Sequence, residues 1–200
     1  MDLKLCLIDV ETTGLKPSEN GITQLSGCTI INGIKQDTFD YKLKPFASDV
    51  IEDAALKVQG ITRADLESYV YRDPADVYDD FTQMLCRHIS KWDKKDKFHF
   101  IAYNSSFDSD FVRAFLKKNG DKYYGSYFWT PHLCVMQLCG WAVMTQRDQF
   151  KNFQLGTVLE TLGVEVEGKM HDAAVDIKGT LELMYKFEVT RRNPNEPRDI

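Results

Sequence analysis

This 200-residue chain has no Cys-x-x-Cys pair, no histidine spaced from a cysteine as in a zinc site, and no apolar run near the roughly 18 residues of a membrane span. The five cysteines, Cys6, Cys28, Cys86, Cys134 and Cys139, are odd in number and fall mostly inside apolar runs. That distribution argues against a disulfide framework and for buried, reduced thiols. The amino terminus lacks the basic-then-apolar order of a secretory signal, so the expectation is a cytoplasmic protein without membrane contact. Strong basicity is absent as well. A formal net charge of -5 excludes a protein that coats nucleic acid by counterion release alone. It does not exclude a nucleic-acid enzyme, because acids that hold metal ions are neutralised by them. Neither an internal repeat nor a low-complexity linker divides the chain, and 43% hydrophobic residues suffice for one core.

What the chain does contain is an alternation of strand-like and helix-like segments. Leu5 to Val10 is an apolar run of strand length that turns abruptly into Glu11-Thr12-Thr13-Gly14-Leu15. Ile22 to Asn32 and Ile34 to Lys44 read as two further strands joined by an Asn32-Gly33 hairpin turn, which predicts an antiparallel meander. A short helix over Asp53 to Val58, a break at Gln59-Gly60-Ile61 and a second short helix capped by Thr62 follow. Asp73-Pro74 opens a longer helix whose stripe Val77, Phe81, Met84, Leu85 and Ile89 is core packing. Lys97 to Tyr103 alternates as a fourth strand and passes through Asn104-Ser105-Ser106-Phe107-Asp108 into a helix with Phe111, Val112, Phe115 and Leu116 on its apolar face. A short fifth strand over Phe128 to His132 precedes a helix from Leu133 to about Thr145 and a polar loop from Arg147 to Asn152. Leu155, Val158, Leu159 and Leu162 mark a helix closed by Gly163, and the last helix starts near His171-Asp172. Residues 1–189 thus read as one domain and 190–200 as a polar tail.

This order predicts an α/β fold with a mixed sheet, in which a site lies beyond the carboxyl ends of the strands. Asp9 and Glu11 are two apart on the first strand, so both carboxylates project to one side. Two adjacent carboxylates repel unless one is protonated or a hard cation lies between them. Taken alone, an Asp-x-Glu at a strand end is as well read as a solvated loop. Asp108 marks the end of the fourth strand, and the three acids converge if strands one and four are adjacent and parallel. At about 100° per residue, His171 and Asp176 stand roughly 140° apart on a regular helix, so both face one site only if His171 precedes the helix. The turn Gly168-Lys169-Met170 would then carry His171.

Asp9-Val-Glu11-Thr-Thr-Gly14-Leu15, Asn104-Ser-Ser-Phe107-Asp108 and His171-Asp-Ala-Ala-Val-Asp176 resemble the three ordered motifs of the DEDDh, or DnaQ-like, 3′–5′ exonucleases. The resemblance runs from about Leu5 to Met184. Val58-Gln59-Gly60-Ile61-Thr62 sits where the family usually has His-Gly-Ile-Thr, and Leu155 to Gly163 resembles the helix before the last motif. It implies an RNase H-like fold, a five-stranded mixed sheet flanked by helices. It also implies hydrolysis of phosphodiesters at the 3′ end of a single strand, with release of nucleoside 5′-monophosphates. Asp9, Glu11, Asp108 and Asp176 would hold two divalent cations, Mg²⁺ or Mn²⁺, and His171 would be the general base. Leu15 resembles the apolar wedge beside the terminal base, and Thr12, Thr13 and Gly14 would offer backbone N–H groups to that nucleotide. Asn104 and Phe107 fall at the substrate as well, Phe107 reading as packing more than stacking.

The chain departs from the family pattern at Tyr103 and Gln59, where histidine is usual, and at Gln24, where an acid is usual. Asp110 and Asp172 read as helix-start charges that favour the macrodipole, not as ligands. Arg113, Lys117, Lys118, Lys122, Arg147 and Lys151 are candidates for a short phosphate grip, though each reads singly as a solvated charge. DNA is favoured over RNA as substrate. A catalytically silent binding module and a polymerase-associated proofreading subunit are the alternatives, and a homodimer or a polymerase partner stays open. The short tail after Val189 favours a stand-alone enzyme.

Overall fold

The computed structural model describes residues 2–168 and 171–187. Strand β1 (Lys4–Thr12) is its axis. On one side β2 (Ile22–Ile31) runs antiparallel to β1, and β3 (Ile34–Lys42) antiparallel to β2. On the other side β4 (Phe98–Ala102) runs parallel to β1, and β5 (Phe128–Cys134) parallel to β4. The order β3-β2-β1-β4-β5 is the five-stranded mixed sheet that the sequence implies. The meander forms because Asn32 and Gly33 both take positive φ, 51° and 81°, as a type I′ hairpin turn requires.

Alternation along β1 divides the core in two. Cys6, Ile8 and Val10 belong to a cluster with Phe81, Phe100, Phe111 and Phe115, under α3 (Pro74–Cys86) and α4 (Ser105–Lys118). Leu5 and Leu7 belong to a second cluster with Ile101, Val158, Leu183 and Met184, under α5 (Val135–Ala142), α6 (Leu155–Thr161) and α7 (Ala173–Lys186). Asp9 and Glu11 continue the Leu5–Leu7 alternation, so they lie on the face that α7 covers.

The short helix α1 (Asp53–Gln59) lies by the far end of β1, and a second, α2 (Arg63–Leu66), packs with it through Leu56 and Leu66. Gly60 closes α1 with φ 77°, and Thr62 forms a capping box with Asp65. At α3, the Asp73 side chain accepts a hydrogen bond from the Ala75 N–H ahead of the first turn.

Besides shifts of one or two residues at the ends of β2, β3, β4 and the first short helix, three boundaries differ from the sequence reading. β5 continues to Cys134, because Leu133 and Cys134 pair with Ile101 and Ala102, and α5 therefore begins at Val135. That helix ends at Ala142, and Met144–Gln149 winds as 3₁₀ turns where a helix end and a polar loop were expected. Asp108 lies in the first turn of α4 and not at the end of β4, because the helix already starts at Ser105. The tail and two residues of the turn before His171, Lys169 and Met170, fall outside the described residues. Among the described residues no helix is long and apolar enough to cross a membrane.

Candidate active site

Parallel pairing of Leu5, Cys6 and Leu7 with His99, Phe100 and Ile101 brings β1 and β4 to the same edge of the sheet. There β1 presents Asp9 and Glu11, and β4 leads through Asn104 into α4, whose first turn carries the buried Asp108. Asp108 Oδ1 accepts a hydrogen bond from the Val10 N–H at 3.1 Å, which pins the start of α4 to β1 between the two β1 acids. Asp176, also buried, comes from the first turn of α7.

These acids are costly neighbours. Burial pushes Asp9 well above the usual carboxylate range, and Asp108, Asp176 and Glu11 push it further. Burial raises Glu11 to about 7, with Asp176 and Asp172 adding to the shift. Burial raises Asp108 to about 8 against the opposing hydrogen bond from Val10. Burial takes Asp176 to about 6, because His171 pulls it partway back. Groups so arranged either hold protons or hold a cation.

His171 precedes α7, exposed and with φ 65°, in a left-handed conformation unusual for a non-glycine residue. This conformation turns it back over the site. One ligand atom each from Glu11, His171 and Asp176 lie within 4.8 Å of one another. Asp176 Oδ1 is buried without a hydrogen-bond partner among the described residues, an orphaned acceptor of the kind a cation satisfies. Carboxylate oxygens and one imidazole are a donor set that could hold a divalent metal ion.

Of the residues expected at the substrate, Leu15 is 77% exposed beside the end of β1. Asn104 is exposed, and Phe107 is half-buried with its ring 4.8 Å from that of Phe111. Thr12 and Thr13 are buried, and the Thr13 N–H donates to Gly21 O at 2.8 Å, so that N–H is engaged within the loop. The loop is organised by Asn20, which sequence reasoning missed. Its Oδ1 accepts from the Lys16 N–H at 2.8 Å, and its Nδ2 donates to Val50 O at 2.9 Å and Glu52 Oε1 at 3.2 Å. A Cβ on Gly14 would stand 2.4 Å from Asn20 Nδ2, so glycine is what lets the loop close. Nothing in a lone asparagine marks such a role. Among the basic candidates, Lys118 is tied to Asp49 and Asn20 O, Arg113 lies over Tyr124, and Arg147 lies over Phe153. Lys117, Lys122 and Lys151 are exposed.

The three departures from the family pattern all work inside the fold. Tyr103 Oη donates to Phe153 O at 2.8 Å. Gln59 Nε2 donates to Thr12 O at 2.7 Å, and its Oε1 accepts from Thr23 Oγ1 at 2.7 Å. Gln24 bonds to the beginning of α7. Asp172 is the N-cap of α7, accepting from the Ala174 N–H at 3.0 Å.

Comparison with known proteins gives a consistent picture. The RNase_T family, described as exonuclease, matches residues 6–184. The PolC-type DNA polymerase III of Listeria monocytogenes is 26% identical over 187 residues, which are 93% of this chain and 11% of that protein. Its counterpart in Thermotoga maritima is 25% identical over 186 residues, 93% of this chain and 12% of that one. The chain thus spans about a ninth of the length of these curated relatives. Among solved structures, E. coli exonuclease I in complex with a dT13 oligonucleotide superposes with a TM-score of 0.73 at 17% identity, covering 96% of this chain and 42% of that one. A 3′-exonuclease that recognises the histone mRNA stem-loop superposes with a TM-score of 0.69 at 18% identity, covering 93% and 81%.

Proposed function

We propose, from the premise that this chain belongs to the RNase_T exonuclease family of DnaQ-like, RNase H-like nucleases, that it removes nucleotides one at a time from the 3′ end of a single strand. The observation that carries this reading is the convergence of Asp9, Glu11, Asp108 and Asp176 at one sheet edge, with His171 turned over them. Two divalent cations, Mg²⁺ or Mn²⁺, held by these carboxylates would supply Lewis-acid stabilisation to the attacking and leaving oxygens of an in-line displacement.

The protein's own residues do the rest. The imidazole of His171 takes a proton from the attacking water, whose oxygen bonds to phosphorus as the bond to the preceding 3′-oxygen breaks. The leaving oxygen gains a proton and becomes the new 3′-hydroxyl, and a nucleoside 5′-monophosphate departs. In this reading Leu15, exposed beside the end of β1, packs beside the terminal base, Thr12 and Gly14 border the terminal nucleotide, and Asn104 and Phe107 contact the substrate. Thr13 acts through the loop and not by its N–H.

The DNA-polymerase relatives favour DNA over RNA as substrate, and they support a second reading in which the chain proofreads beside a polymerase. Matched DNA and RNA oligomers, 5′-labelled and supplied with Mg²⁺ or Mn²⁺, test the assignment. A ladder of shortened products, faster on DNA, is expected. Full-length substrate under every metal would make the chain a silent binding module.

A further inference from the structure

In the β1–β2 ladder Glu11 stands opposite Gln24, so the two side chains share the sheet face that α7 covers. Gln24 is buried, and its amide is used at both ends. Nε2 donates to Asp40 Oδ1 at 2.8 Å and to Asp172 Oδ1 at 3.2 Å, while Oε1 accepts from the Ala173 N–H at 3.3 Å. Asp172 is the N-cap, and its carbonyl accepts from the Val175 and Asp176 N–H groups at 2.8 and 3.0 Å. One side chain therefore joins β2, at the position paired with Glu11 of β1, to the turn of α7 carrying Asp176, and the joint lies next to His171 in sequence.

We infer that Gln24 is a positioning residue for the hydrolytic site: it fixes the N-cap of α7 so that Asp176 faces Glu11, and sets the point from which His171 reaches the substrate. The inference rests on the exonuclease reading of the site. The amide suits this position: its NH₂ donates to two carboxylates while its oxygen accepts from a backbone N–H. An ionised glutamate of the same shape could still accept from Ala173, but it would face Asp40 and Asp172 with a third negative charge and no hydrogen to offer. This gives a physical reason for glutamine where the family usually carries an acid: here Asp172 supplies the acid of the pair, and Gln24 supplies the donor.

The test exchanges the two partners. Gln24→Glu breaks the contacts with Asp40 on β3 and with Asp172; adding Asp172→Asn restores the contact to α7 with donor and acceptor reversed, at the net charge of the natural protein, while the Asp40 contact stays broken in both variants, and asparagine is as good an N-cap as aspartate. For Gln24→Glu, kcat on a single-stranded oligonucleotide should fall by about 10- to 100-fold with KM within about twofold, since misplacement by about an ångström costs this much. In Q24E/D172N most of kcat should return. Amide hydrogen exchange at Ala173 and Ala174, measured without added metal, should quicken in Q24E and slow again in the double variant. This readout is independent of catalysis, so an inactive natural protein would sink the exonuclease reading while leaving the clip to be judged by exchange alone. Unchanged kcat and exchange in Q24E, a loss confined to KM, or a double variant no better than the single one would each overturn the inference.

Discussion

His171 differs from the carboxylates in what its removal should do. It is exposed, precedes its helix, and supports no core packing, so His171→Ala should leave the melting temperature almost unchanged. Steady-state kinetics should show kcat lower by about 10²–10⁴-fold with KM little altered, the signature of a lost general base. Wild-type cleavage by this variant near neutral pH would remove His171 from the chemistry. Leu15 makes the opposite separation. At 77% exposure its replacement by alanine should change stability by less than about 0.5 kcal/mol. If Leu15 packs on the terminal base, the same change should raise KM by about tenfold, the worth of burying much of a leucine side chain, and an unaltered KM would show that it does not. At this scale much of the candidate site was legible. Strand spacing sets Asp9 and Glu11 to one side, whereas His171 and Asp176 do not share a helix face and were placed together by the expectation that His171 precedes the helix and by the resemblance of the three motifs. Gln24 and Asn20 were not legible as structural ties, since each acts through partners distant in sequence: Gln24 through Asp172, and Asn20 through Val50 and Glu52.

Among the elements, the strands were easier to read than the joints between them. Hydrophobic alternation and the Asn32-Gly33 turn place the meander, and Asp73-Pro74 places α3. The boundary between β5 and α5 is set instead by pairing of Leu133 and Cys134 with β4, a contact that no local pattern carries. The loop from Gly14 to Asn20 belongs with these joints. Its shape depends on Asn20, 1% exposed, and on Lys118, which donates to Asn20 O at 2.8 Å. Asn20→Ala should destabilise the protein by about 1–3 kcal/mol in urea unfolding, because Val50 O and the Lys16 N–H lose a buried partner. The same variant should also weaken oligonucleotide binding, since the loop carries Leu15. Stability within a few tenths of a kcal/mol of the natural protein would show that water replaces the asparagine at no cost.

For the molecule as a whole, the acids set the pH response. Without metal, Glu11 near 7, Asp108 near 8 and Asp176 near 6 lie above the range of about 4 that carboxyls show in an unfolded chain. Between about pH 4 and 8 the native state therefore binds more protons than the unfolded one, and stability falls as pH rises through that window. The penalty from these three groups is absent below it and complete above it, and Asp9, raised by burial and by its neighbours, adds to it in the same direction. Thermal melts of metal-stripped protein should show the decline, Asp108→Asn should make it shallower, and saturating Mg²⁺ or Mn²⁺ should offset it; identical slopes in all three would contradict the electrostatic picture of the site. The central claim is the direction of attack, and a single-stranded oligonucleotide with distinct labels at its two ends tests it most directly. The first product should be the 3′-terminal nucleoside 5′-monophosphate, with the 5′ label staying in a chain that shortens one residue at a time and with no reaction after chelation. Early release of the 5′ label, or fragments cut from the interior, would contradict the account.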